Sequence, residues 1–206
     1  MYEKRPKIYS VIAFGYWLLN ICGLLAMGIL HKSGVKNYYV IPWLLLVIAI
    51  LIVIIKDKSI VGLGFTKEKV KTNLIISAMI IIITFAISVI IGKYPILKLL
   101  EYSSYYLIYV AFREEIVYRG IIQNYLFGLT CNKYVIFIIG AVLFSLGHIP
   151  FQMYVDNNVS LSYIIDVLPQ LGLLCVIHLI LSFITYKRKD VTIPIALHFA
   201  LNYLQL

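Results

Sequence analysis

The sequence predicts an all-α fold, a polytopic membrane helix bundle of about seven transmembrane helices, and three observations predict it. Hydrophobic residues make up 62% of the 206 and charged residues 13%, with a mean hydropathy of +0.95. Soluble domains run nearer to about half apolar and about a quarter charged. The apolar residues are grouped, so that stretches 8–30, 38–55 and 74–91 hold no charge at all. The lysines and arginines between the runs also alternate in density, as they do in chains that cross a bilayer repeatedly.

The first three runs each supply roughly the ~20 residues that cross ~30 Å of hydrocarbon at ~1.5 Å per residue. The first follows Lys4, Arg5 and Lys7 and is longer than the roughly 7–15 residues of a signal-peptide core, so it reads as a retained anchor. The fourth, 103–126, is interrupted by Arg113, Glu114, Glu115 and Arg119. A fifth, 134–148, is expected to stop at Pro150. A sixth, 163–186, is apolar apart from Asp166 and His178, with a kink expected at Pro169. The seventh, 192–206, is short and carries His198 and Asn202. Hydropathy alone would pass over the fourth and the seventh.

With the N-terminus on the cytoplasmic side, this count puts twelve basic residues inside: Lys4, Arg5 and Lys7; Lys56, Lys58, Lys67, Lys69 and Lys71; Lys133; and Lys187, Arg188 and Lys189. Only four, Lys32, Lys36, Lys93 and Lys98, fall outside. That asymmetry is the one the positive-inside rule requires, and one span more or fewer would scramble it. The predicted location is therefore a multi-pass cell-membrane protein, of a bacterial plasma membrane by its Ile- and Lys-rich composition. The net charge of +9 and pI near 9.4 are explained by these loops, so nucleic acid is not an expected partner. Cys22, Cys131 and Cys175 lack CxxC spacing and read as small core residues. Residues 1–98 form three spans with no evident catalytic residues, and 99–206 hold nearly all the chemistry.

A charge at a helix centre in lipid costs roughly 2.5–3.5 kcal/mol on insertion scales, so the four in the fourth span must point inward and pair. Glu115 and Arg119, four apart, share a face and can neutralise each other. Glu114 lies about 100° round the helix with no visible partner, and Arg113 on a further face. His148 closes the next span one turn after Phe144. His198 and Asn202, again four apart, project from one face of the last, where lipid offers no hydrogen bonds. His178 has only Leu and Ile on its face and reads as a packing residue. At ~1.5 Å per residue, the polar groups of the three spans fall near a common mid-depth.

A carboxylate beside an imidazole can hold and deprotonate water. A second imidazole and an amide can donate to the oxyanion that forms when water attacks a carbonyl. That set suffices for amide hydrolysis without a serine or cysteine nucleophile. Zinc is the alternative, since two histidines and a glutamate can ligate it, although no HExxH is present and Asn is a poor ligand. Spacing alone leaves both open.

Glu114-Glu115-Ile-Val-Tyr-Arg119, Phe144-Ser-Leu-Gly-His148 and His198-Phe-Ala-Leu-Asn202 match in order the EExxxR, FxxxH and HxxxN motifs of the CAAX-protease and bacteriocin-processing (CPBP, or Abi) family. The chain resembles that family over roughly residues 99–206, including Tyr118-Arg119-Gly120 and the run 193–198. The resemblance implies an intramembrane endopeptidase whose water is positioned and activated by Glu114 and His148, with His198 and Asn202 as the oxyanion site. Glu115, Arg119 and Phe144 are then supporting residues. It implies a metal-free mechanism with no cofactor, zinc being the alternative. The implied partners are the lipid bilayer and a peptide or membrane-protein substrate, and the implied roles are bacteriocin immunity, peptide maturation or signalling. The other functional class is a non-catalytic immunity or regulatory protein that binds a partner through the same cavity.

Overall fold

The computed structural model describes residues 2–66, 68–130 and 132–206. The inner position expected of Lys67 and the core position expected of Cys131 lie outside the described residues. Eight helices and no strand occur among the described residues. They are α1 (Lys7–Lys32), α2 (Ile41–Asp57), α3 (Val70–Ile91), α4 (residues 96–126), α5 (Lys133–Val155), α6 (Leu161–Asp166), α7 (Leu168–Arg188) and α8 (Thr192–Tyr203). Short 3₁₀ turns, Lys36–Val40 and Ile60–Leu63, precede α2 and α3. The all-α membrane bundle is the architecture found.

Helices α1, α2, α3, α5 and α7 are long and apolar enough to cross a membrane. Helix α3 shows the environment most plainly. Its buried residues are all polar, Asn73, Ser77, Thr84 and Ser88, while Ile82 and Ile91 are exposed and Ile90 is 83% exposed. A soluble helix would do the reverse; here the small polar stripe lies against α8 and the isoleucines face lipid, where small residues let helices approach closely.

Helix α4 starts at Ile96, well before the expected residue 103, and is not uniform. Two π-helical stretches, Tyr105–Phe112 and Ile116–Ile122, flank the charged turn Arg113–Glu115. Such wide turns re-aim side chains and recur at functional sites. Helix α8, at 12 residues, is about 18 Å long and cannot by itself cross ~30 Å; it is held between α3, α4 and α7.

Three local expectations are corrected. Pro150 does not stop α5, which continues to Val155 with the proline buried inside it; packed membrane helices tolerate the lost hydrogen bond. Pro169 does not kink a helix but opens one, at the first turn of α7 after the short α6, where its missing N–H costs nothing. Cys22 is not a core residue: it is exposed on the bundle's outer face, and Cys175 is half-buried.

The bundle has two distinct ends. At one, Arg5 donates to both oxygens of Asp57 at 2.8 and 3.1 Å, and its amide reaches the Phe127 carbonyl at 3.3 Å. There the Val191 amide also reaches the Gly64 carbonyl at 3.0 Å. These bonds draw the N-terminus, the α2–α3 loop, the end of α4 and the α7–α8 turn together, so the lysine-rich segments share one end. At the other end Tyr109 donates its hydroxyl to the Tyr39 carbonyl at 3.0 Å, and the His31 ring meets Phe151 at 5.9 Å.

Candidate active site

The charged turn of α4 sits where three helices meet. Arg113 is buried and donates through Nε to the Tyr109 carbonyl at 3.1 Å and through Nη2 to Glu114 Oε1 at 2.9 Å. Glu114 therefore has a partner on its own helix, contrary to the sequence expectation, because the long arginine arm folds back over its neighbour. Glu115 and Arg119 are both fully buried and form the expected pair. The Arg119 guanidinium also lies over the Phe144 ring at 5.3 Å.

Glu115 Oε1 has a second donor, His198 Nδ1 at 2.7 Å. A carboxylate oxygen paired with arginine accepts, so the proton is on Nδ1 and the ring is held with Nε2 toward Glu114 Oε2, 3.8 Å away. His198 thus bridges the two adjacent glutamates. His148 is fixed differently: its Nδ1 faces the Phe144 carbonyl at 3.0 Å. A carbonyl only accepts, so Nδ1 carries the hydrogen and Nε2 is left with a lone pair.

Glu114 and His148 both line a cavity of about 150 Å³ between α1, α4 and α5. Its wall also includes Arg113, Asn20, Met27 and Tyr118. Phe144 is the packing centre behind it. Its ring lies 4.8 Å from His148, 4.9 Å from His178 and 6.3 Å from His198, so three of the four histidines of the chain gather round one aromatic residue.

Of the residues expected from sequence, then, Glu114 and His148 share the cavity and His198 adjoins Glu114 from α8. Asn202 follows one turn beyond His198, outside the cavity wall, and makes no side-chain hydrogen bond among the described residues. His178 is fully buried and bonded to Gln123 Oε1 at 2.9 Å, which Ser182 also reaches at 2.7 Å, a packing arrangement.

Sequence reasoning gave no role to Asn20 or Tyr118. Asn20 Nδ2 donates to the Tyr118 hydroxyl at 3.1 Å, and Gly147 leaves the space that hydroxyl occupies, since a Cβ there would stand 2.2 Å from it. The signal for Asn20 was present, as a lone amide in an uncharged 23-residue run. Tyr118 was marked only as part of the Tyr118-Arg119-Gly120 run, which gave its hydroxyl no role.

A zinc ion would need at least three donors facing one point. Among the described residues no three His, Cys, Asp or Glu side chains gather in that way. What the arrangement can do is general acid–base chemistry, with a carboxylate and an imidazole lone pair on a cavity that has room for several waters in an apolar bundle.

A protein-family model described as type II CAAX prenyl endopeptidase Rce1-like matches residues 96–204, more than half of the chain. Neither a curated protein nor a solved structure matches it.

Proposed function

We propose that this chain, which belongs to the Rce1-like family of type II CAAX prenyl endopeptidases, hydrolyses a peptide bond of a peptide or membrane-protein substrate with a water activated by Glu114 and His148. Family membership makes it a membrane protease; the residue roles are our reading. The observation that carries them is that the Glu114 carboxylate and His148 face one cavity inside the bundle.

In this reading a water in the cavity gives its proton to Glu114 while the His148 Nε2 lone pair orients it. The oxygen attacks the scissile carbonyl, and the electron pair of the C=O bond moves onto the carbonyl oxygen. His198 is held through Nδ1 by Glu115 and turns Nε2 to that oxyanion, to which it donates when the ring carries its second proton. Asn202, free of other bonds among the described residues, turns in to supply a second donor. As the tetrahedral intermediate collapses, Glu114 returns its proton to the leaving amine, which restores the enzyme and releases two peptides. Arg113 and the Glu115–Arg119 pair keep the charges neutralised throughout, which an apolar surrounding demands.

The test is mass spectrometry of peptides released in membranes holding the wild-type chain or Glu114→Gln, each with and without chelator. We expect release by the wild type in both conditions and none by Glu114→Gln at normal protein level. Release surviving both Glu114→Gln and His148→Ala would overturn the reading in favour of a binding protein.

A further inference from the structure

The cavity does not end at Glu114. Met27, Tyr105, Tyr109 and Phe151 belong to its wall and also to that of a second hollow of about 510 Å³, completed by His31, Tyr38, Tyr39 and Val155. The larger hollow is within the roughly 300–1,000 Å³ range of ligand pockets. The two form one passage from the reacting groups to the end of the bundle where α1 and α5 finish. Tyr39 and Tyr105 are about half exposed at the mouth. The Tyr109 hydroxyl bond to the Tyr39 carbonyl holds the 3₁₀ turn against α4 as one rim.

The other end is closed. Tyr2, Ile121, Ile122, Tyr125, Leu126 and Phe127 are all at most 3% exposed and pack between the site and that end. The turn Ile60–Leu63 lies so tightly on α4 that a Cβ at Gly120 would stand 2.3 Å from the Leu63 carbonyl oxygen. The closed end is the one that carries the lysine-rich segments; the open end carries only Lys32, Lys36, Lys93 and Lys98.

From this we infer that substrate reaches Glu114 from the non-cytoplasmic side, through the aromatic mouth, as an extended apolar peptide segment. The inference rests on the hydrolytic reading of the cavity and adds to it the side of access and the class of substrate. Positive loops stay in the cytoplasm, so the closed end is cytoplasmic. The mouth is lined mainly by tyrosine and phenylalanine rings, with Met27, Val155 and the His31 ring beside them and no carboxylate, lysine or arginine among its lining residues. Rings of this kind take aliphatic and aromatic side chains, and the phenol groups can bond a peptide backbone. A charged peptide would leave its charges unpaired there.

Site-directed labelling tests this without depending on turnover. The full-length chain, with Cys22, Cys131 and Cys175 replaced by alanine, receives one cysteine at a time: Tyr39→Cys at the mouth, Gln152→Cys on the cavity wall or Lys58→Cys at the closed end. Should the cysteine-free chain aggregate, Cys175 is restored, since it is bonded to Ser145 at 3.0 Å inside the bundle. The probe is a small cationic, membrane-impermeant methanethiosulfonate applied to right-side-out and inside-out vesicles. Tyr39→Cys and Gln152→Cys should react at least about tenfold faster in right-side-out vesicles, and Lys58→Cys should show the opposite preference. Gln152→Cys reacting with the sidedness of Lys58→Cys, or from neither side, overturns the route; both mouth and cavity reacting only from the cytoplasmic face overturns the sidedness.

A second arm adds a short synthetic peptide of Leu, Phe and Tyr before the label. That peptide should slow Gln152→Cys labelling at least about threefold, whereas one of Lys and Glu at the same concentration should not. Equal protection by both, or by neither, overturns the substrate class. Repeating the labelling in a Glu114→Gln background should change nothing, so access and hydrolysis can fail independently.

Discussion

Arg113 donates to Glu114 Oε1 at 2.9 Å although the two are neighbours in sequence, whose side chains ordinarily diverge on a helix. The contact puts a positive charge on the carboxylate proposed as the base, and the same guanidinium is anchored by the Tyr109 carbonyl. We predict that Arg113→Ala lowers both stability and turnover. Leaving the nearly buried Glu114 without its closest cation, with the His198 ring 3.8 Å away as a remaining neighbour, is expected to cost about 3 kcal/mol, read as a fall in thermal unfolding temperature in detergent. Arg113→Lys keeps the charge, loses the anchor and should fall between the two. Unchanged unfolding in Arg113→Ala would mean the pair contributes nothing.

His148 is predicted to behave in the opposite way. Its one side-chain hydrogen bond among the described residues is to a carbonyl of its own helix, so His148→Ala removes little that holds the fold. Turnover should drop by about 10²–10⁴, the span typical of a lost general base or its orienting partner, with unfolding temperature close to wild type. A matching loss of stability would assign His148 to structure.

Because no three His, Cys, Asp or Glu side chains among the described residues are grouped to hold a metal ion, exhaustive chelation is predicted to leave peptide release unchanged, and added zinc to give no stimulation. Activity lost on chelation and recovered with zinc would reject the metal-free mechanism.

Gly147 and Tyr118 provide a test of the cavity wall. A Cβ at 147 would stand 2.2 Å from the Tyr118 hydroxyl and 3.3 Å from Cζ. Gly147→Ala should therefore destabilise by about 1–3 kcal/mol, as overpacking does. Tyr118→Phe alone should cost about 1 kcal/mol, because it strands the Asn20 amide that the hydroxyl accepts from. The double variant should be more stable than the sum of the two losses predicts, since removing the hydroxyl removes the closest clash. Simple additivity would show that the two residues do not meet.

The parts legible in the sequence were those that lipid makes costly. Charges and amides in apolar runs stand out, and these gave Glu114, Glu115, Arg119 and His198 as groups needing partners; the Glu115–Arg119 pair could be read from its spacing alone. Helix α4 was harder, because its π-helical stretches differ from an α-helix only slightly in backbone angles and leave no mark in residue choice. They shift the aim of Arg113 and Glu114, and so the partner of Glu114 could not be assigned from a regular 100° wheel. The role of α1 was hidden for another reason: Asn20 is one amide in a run otherwise indistinguishable from an anchor. Asn202 was placed by its spacing from His198, yet a shared helix face fixes direction and not reach, and its side chain stops outside the cavity wall.

Glu115 is the residue whose variants best separate support from chemistry. It is fully buried, and one of its oxygens accepts from both Arg119 and His198. Arg119→Gln would leave that carboxylate with the histidine as its sole charged partner and is predicted to cost about 3–5 kcal/mol, the range for breaking a buried pair. Glu115→Gln strands the arginine instead and should cost a similar amount. The double variant Glu115→Gln/Arg119→Gln removes both charges, so most of that stability should return. Turnover should not return with it, because His198 would then lack the carboxylate that orients Nε2 toward Glu114. Unfolding temperature and peptide release measured on the three variants decide the matter: recovery of both would make the pair purely structural, and recovery of neither would mean that the amides cannot replace the ion pair.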